Sequence, residues 1–194
     1  MSMFTIKENN TYELEIKKSK FISKIYKVNT IEETNTILTN LKKEYSDATH
    51  HCYAYIINEH KKSSDDGEPG GTAGIPILQV LDKQNLNYVL CVVIRYFGGI
   101  KLGAGGLVRA YTKSVSELIK NTPIIELVKG YKIETQISYE EQKQLDYILK
   151  DLKYNKTYTD SVLYQIFISK EDLIKLNDYN ITIIEEIEIE KETP

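Results

Sequence analysis

The sequence predicts an α+β chain of two domains, residues 1–127 and 130–194, and three observations carry that reading. Strand-like and helix-like segments alternate along its 194 residues. One glycine-rich stretch sits between an apolar β-branched run and an amphipathic helix. Beyond Gly130 a regular strand, helix, strand, strand, helix, strand pattern begins.

From Thr11 to Val28, YELEI and FISKIYKV read as a hairpin joined through Lys17 to Lys20. Thr30 and Glu33 form a capping box that opens a helix, with Ile31, Leu38, Leu41 and Tyr45 on one face. His50 to Ile57 reads as a strand whose alternation sends His50, Cys52 and Ala54 to one side and His51, Tyr53 and Tyr55 to the other. Three histidines, His50, His51 and His60, lie close in sequence. Neighbouring strand histidines point apart and no CxxC or HExxH is present, so buried, hydrogen-bonded histidines are expected rather than a structural zinc.

Glu59 to Gly74 is expected to be loop throughout. Its acids, Asp65, Asp66 and Glu68, have two readings: general acid, base or cation ligand, or backbone-capping groups in the DG and PGG turns around them. With His50, His51 and Thr72 they form a possible accessory site. Pro76 suits the first position of a short helix carrying Ile77, Leu78, Val80 and Leu81.

Val92 to Tyr111 is the organising stretch. It holds five of the ten glycines, Gly98, Gly99, Gly103, Gly105 and Gly106, and the only two arginines, Arg95 and Arg109, among 25 basic residues. A glycine cluster implies positive φ or close approach to the backbone. The strand–loop–helix junction leaves helix N–H groups pointing outward, a natural anion site, and guanidinium groups grip phosphate or carboxylate at two points. Arg95, Lys101, Arg109 and Lys113 together with the five glycines are therefore the candidate anion or nucleic-acid site. The competing reading is structural: the glycines allow packing and an arginine pairs with Asp65, Asp66 or Glu68. Neither standard nucleotide fingerprint is present. In the helix, Leu107, Val108, Tyr111, Val115, Leu118 and Ile119 are expected to be buried, with Arg109, Lys113, Ser116 and Lys120 as an outer ridge, and Pro123 closing it.

Ile124 to Lys129 reads as a connector and Gly130 as a boundary. Next come a strand at Tyr131 to Ile137, a helix capped by Ser138 and Glu141, strands on either side of Asp160, a helix begun by Ser169 and Asp172, and a strand at Ile181 to Ile189. This β-α-β-β-α-β order is the ferredoxin-like arrangement. It carries no catalytic constellation.

Composition narrows the class. At 41% apolar residues the chain has enough material for real cores, and its net charge of −3 excludes a generally basic nucleic-acid coat while allowing a local basic patch. Cys52 and Cys91 lie in apolar strands, where reduced buried thiols are the default. With no signal-like segment and no eighteen-residue apolar run, a soluble cytoplasmic protein without membrane contact is expected. Lysine pairs such as Lys17-Lys18 read as solvated surface.

Four motifs in order, SKFIS at Ser19 to Ser23, THHCYAY at Thr49 to Tyr55, SDDGEPGGTAGIPIL at Ser64 to Leu78 and RYFGGIKLGAGGLVRAY at Arg95 to Tyr111, resemble the IMPACT family, whose bacterial members are called YigZ proteins. Gly70 stands where serine is more usual in that family. The resemblance implies a first domain like ribosomal protein S5 domain 2 and elongation factor G domain IV, and a second like that factor's domain V. It implies no cofactor. Eukaryotic relatives regulate translation in amino-acid starvation through protein binding. A non-enzymatic, stress-linked translation regulator that binds RNA or a ribosome-associated protein through the glycine loop is thus the leading expectation. The alternative is a small-molecule phosphotransferase, with Gly103 to Gly106 at the phosphate and Asp65, Asp66 or Glu68 handling metal or proton. A third reading is a protein-binding module anchored by Tyr96, Phe97 and Tyr111.

Overall fold

Five extended segments build the sheet of the first unit, its central strand apolar from Val89 to Ile94 and its edges partly polar. The computed structural model describes residues 2–191, and the chain divides into two units, Met3–Ile125 and one beginning at Glu126. The first contains β1 (Met3–Ile6), β2 (Asn10–Ile16), β3 (Ser19–Lys27), α1 (Ile31–Glu44), β4 (His50–Ile57), β5 (His60–Ser64), α2 (Gly74–Lys83), β6 (Val89–Tyr96) and α3 (Ala104–Lys120). Its sheet runs β2-β3-β6-β4-β5 with every neighbouring pair antiparallel.

Helices cover both faces of this sheet. Leu38 and Leu41 of α1 pack on Ile22, Tyr55, Ile57, Leu90, Val92 and Ile94. On the other face α2 and α3 bring Ile77, Leu81, Leu107, Tyr111, Val115 and Leu118 onto Phe21, Ile25, Cys52, Ala54, Cys91 and Val93. Strand β6 is central and buried on both sides, which is why its sequence is continuously apolar rather than alternating. α1 starts at the expected capping box: Thr30 Oγ1 accepts the Glu33 N–H, and Glu33 Oε2 accepts the Asn29 N–H.

Three expectations change. Glu59 to Gly74 is not loop throughout, because His60–Ser64 forms edge strand β5 on β4. HKKSS gives no apolar alternation because this edge is mostly solvent-facing. Helix α2 starts at Gly74, two residues before Pro76. Ile124 to Lys129 is not a connector but the first part of β7 (Ile124–Ile137).

The second unit has α4 (Gln142–Ile148), β8 (Lys153–Tyr158), β9 (Val162–Ser169), a 3-10 turn (Asp172–Leu176) and β10 (Ile181–Lys191). Its strands lie β10-β7-β9-β8, all antiparallel, which is the ferredoxin-like order. Ile133, Leu145, Leu149, Val162, Tyr164, Ile166 and Leu176 fill its core. Glu141 accepts from the Ser138 N–H and hydroxyl, yet α4 begins at Gln142 with no side-chain cap, and the helix expected after Ser169 is only the 3-10 turn, with Ser169 Oγ accepting the Asp172 N–H.

Candidate functional site

The glycine loop, residues 97–103, leaves the end of central strand β6 and delivers the chain into α3. Gly98 admits no side chain: a Cβ there would lie 2.0 Å from the carbonyl carbon and oxygen of Lys18. Ser19 Oγ accepts the Gly98 N–H at 3.2 Å, pinning the loop to the β2–β3 hairpin. Gly103 has φ 72° and stands at the N-cap of α3, where it offers no side chain to the helix's first amides. The Gly103 carbonyl accepts the Leu107 N–H at 2.9 Å.

Three cations lie along the loop and the helix that follows it. Arg109 lies over the first turn, its Nη1 3.7 Å from where a Cβ on Gly105 would sit. Lys101, Arg109 and Lys113 are exposed, and among the described residues none of the three is paired with a carboxylate. The outer ridge of α3 continues through Ser116 and Lys120, both exposed. Val108 departs from the expected buried stripe at 37% exposed. It lies one step round the helix from Leu107, on the side of Arg109.

Arg95 does not join them. The β6 register sets it opposite Phe21 on β3 and His50 on β4, on the sheet face covered by α2 and α3. It is 4% exposed, and its Nη1 donates to Glu68 Oε1 at 2.6 Å. Nη2 donates to Ser19 Oγ at 3.2 Å, and the guanidinium carbon lies 5.4 Å and 5.7 Å from the ring centres of Phe21 and Phe97. The expectation of two arginines facing an anion is therefore corrected to one, Arg109. A charge placed this deep needs an internal partner, and Glu68 supplies it.

Glu68 Oε1 also accepts from the Tyr111 hydroxyl at 2.8 Å, and the Cys52 sulfur lies 3.2 Å from that hydroxyl and 2.9 Å from the Asp65 carbonyl oxygen. Burial, opposed by the Tyr111 contact and helped by the charges of Glu68, Asp66 and Asp65, pushes the Cys52 thiol up to about 12. Burial, then Cys52 and Glu68, raises the Tyr111 hydroxyl well beyond its usual range. Neither group is a nucleophile at neutral pH. Tyr111 is fully buried edge-on to Phe21, and the Tyr96 hydroxyl donates to Asp47, so of the three expected aromatic anchors Phe97 alone is largely exposed, at 47%.

The remaining accessory residues hold the 65–74 segment in place. Asp65 accepts from the Gly71, Ala73 and Gly74 N–H groups, capping α2 from nine residues upstream of its first residue. Burial alone would raise its pKa, but those three amides outweigh it and hold the carboxyl below the usual range. Asp66 is likewise lowered: burial opposes the shift, and the Lys42 ammonium and His51 N–H overcome it. His50 Nδ1 donates to the Asp66 carbonyl at 2.9 Å, with Nε2 3.8 Å from Glu68 Oε2, whereas His51 Nε2 donates to the Tyr45 carbonyl at 3.1 Å. The Thr72 hydroxyl donates to the Pro69 carbonyl within its own turn. The two histidines diverge as strand alternation requires, and among the described residues no three potential ligands converge on a metal position.

Sequence reasoning missed two contributors. Ser19 bridges Arg95 and Gly98, which only the strand register discloses. The hairpin turn Lys17-Lys18 has φ 48° and 65°, both left-handed, and sits against Gly98. The hairpin is legible in the sequence, but the packing of its turn on Gly98 is not.

A family model of the Impact N-terminal domain matches residues 17–119, a span that includes the hairpin turn, the Glu68 segment, the glycine loop and nearly all of α3. The chain belongs to the IMPACT family. The IMPACT family member YvyE of Bacillus subtilis is 39% identical over 181 residues, covering 88% of this chain and 82% of that protein. The family member YigZ of Escherichia coli is 39% identical over 123 residues, 58% of this chain and 60% of its own length. A crystal structure described as that of a hypothetical protein superposes with a TM-score of 0.67 at 30% identity, covering 95% of this chain and 98% of that one. The sequence match to YvyE and the fold match to this structure both extend beyond the first unit.

Proposed function

We propose that the chain is a non-enzymatic regulator linked to translation, which acts by binding RNA or a ribosome-associated protein on the surface made by the glycine loop and the outer face of α3. One observation carries the reading: a seventeen-residue helix begins uncapped at an exposed loop, with Lys101 in the loop, Arg109 over the first turn and Lys113 one turn beyond it, none paired with a carboxylate among the described residues, while Asp65, Asp66 and Glu68 are engaged in the fold. Such a start attracts negative charge through its free amides and dipole. The translation link comes from membership of the IMPACT family.

The phosphotransfer alternative is less well supported. Asp65 accepts from three amides, Asp66 from Lys42 and the His51 N–H, and Glu68 through Oε1 from Arg95 and Tyr111, so each acid already holds part of the fold. Sedimentation with purified ribosomes and filter binding to their RNA, over a salt series, test the proposal. The expected result is binding that weakens with salt, with Arg109→Ala plus Lys113→Ala lowering affinity and flattening the slope. Binding without salt dependence and indifferent to those substitutions refutes it. Thermal stabilisation by a nucleotide with magnesium would instead favour the enzyme.

A further inference from the structure

The loop surface carries apolar groups that a phosphate ligand has no use for. Phe97 is 47% exposed and Ile100 42% exposed on the loop, and Val108 is 37% exposed on the first turns of α3. Five cations lie on the same loop and helix and on the turn packed against the loop. Lys101, Arg109 and Lys113 come from the loop and helix, and Lys17 and Lys18 come from the hairpin turn that Gly98 and Ser19 clamp to the loop. All five are exposed, and among the described residues none is paired with a carboxylate. This local excess of positive charge stands out on a chain whose net charge is −3.

We infer that the occupant of this surface is an acidic, amphipathic segment of another protein, whose apolar side chains cover Phe97, Ile100 and Val108 while its carboxylates meet Lys17, Lys18, Lys101 and Arg109. The inference rests on the loop being a binding face, as proposed above, and names its partner class. Single-stranded RNA would satisfy the cations, but bases gain affinity by stacking on planar groups. Ile100 and Val108 have no such face, and Phe97 already has the Arg95 guanidinium carbon 5.7 Å from its ring centre. A segment with apolar residues at helical spacing and acids between them uses both sets of groups at once. Charge complementarity then steers the encounter and the apolar contacts hold it.

Fluorescence anisotropy on the full chain separates the possibilities with three probes. They are a peptide of about 16 residues with leucines at helical spacing on a Glu/Asp background, the same peptide with every leucine replaced by serine, and a single-stranded RNA of about 20 nucleotides. The leucine-bearing acidic peptide is expected to bind at least about tenfold more tightly than either other probe, a difference of ~1.4 kcal/mol. Ile100→Ser and Val108→Ser, at exposed positions where melting temperature should not move, weaken that peptide several-fold and leave RNA binding unchanged. Lys17→Asn with Lys18→Gly keeps a favourable turn, removes two charges, and reduces both affinity and salt dependence for the peptide. Tighter binding of RNA, indifferent to Ile100→Ser, overturns this inference and leaves the binding face standing. Peptide binding indifferent to both apolar substitutions overturns it too. Binding of none of the probes overturns the inference and the binding face together.

Discussion

Removing the charge from Glu68 is the perturbation whose size follows most directly from the geometry. Glu68→Gln preserves shape and leaves an oxygen for one donor, but Arg95, 4% exposed with its Nη1 2.6 Å from Glu68 Oε1, loses its counter-ion. Breaking one side of a buried pair costs about 3–5 kcal/mol, because the surviving charge remains out of water. Among the described residues Arg95 Nε has no partner, and beyond Glu68 the guanidinium donates only to the uncharged Ser19 Oγ. For a chain of 194 residues that loss lowers the melting temperature by roughly 10 °C. Arg95→Met strands Glu68 in the same way, though the Tyr111 hydroxyl still donates to it. The double variant removes both charges, so its cost falls below the sum of the single costs by at least ~2 kcal/mol. Urea titrations of the four proteins give the coupling. Single-variant losses below about 1 kcal/mol that simply add would refute the claim that this pair is a buried structural lock.

Other outcomes follow from the same contacts. Gly98→Ala places a methyl against the Lys18 backbone, which cannot rotate away, so the protein should lose about 1–3 kcal/mol in urea denaturation. Gly70→Ser, by contrast, meets nothing within 4 Å and should change stability by less than about 0.5 kcal/mol. Asp65→Ala removes the cap of α2 and should cost about 1–2 kcal/mol. Both Asp65 and Asp66 titrate below their usual range in the folded chain. Their stabilisation is therefore present above the unfolded carboxyl value of about 4 and is lost as pH falls through the lower folded values. Urea midpoints should stay level from about pH 5 to 7 and drop below about pH 4 with a slope that Asp65→Asn reduces.

Much of the fold could be read in the chain because apolar spacing and caps agree with it. Thr30 with Glu33, and Ser169 with Asp172, mark helical starts that the backbone makes. The unbroken apolar run before Arg95 is the central strand covered on both sides. What escaped did so for physical reasons. His60–Ser64 is an exposed edge whose polar residues erase the alternation, and Asp65 caps α2 from a distance that no local capping pattern encodes. The candidate site was legible as a set of residues and not as a geometry. Arg95 and Arg109 look equivalent on either side of the glycines, yet strand parity turns Arg95 inward beside His50 and Phe21 while helix periodicity leaves Arg109 outside. Lys17 and Lys18 looked like ordinary surface because only the packing of Gly98 on their turn connects them with the loop.

An outer binding face and an inner lock should respond separately to substitution, and purified ribosomes provide the comparison. Lys101→Ala, Arg109→Ala and Lys113→Ala together should lower ribosome affinity by at least about tenfold and flatten its salt dependence without moving the melting temperature. Glu68→Gln with Arg95→Met should lower the melting temperature yet bind, while folded, as the unaltered chain does. A chain that loses binding with the inner pair and keeps it without the three outer cations would contradict the account.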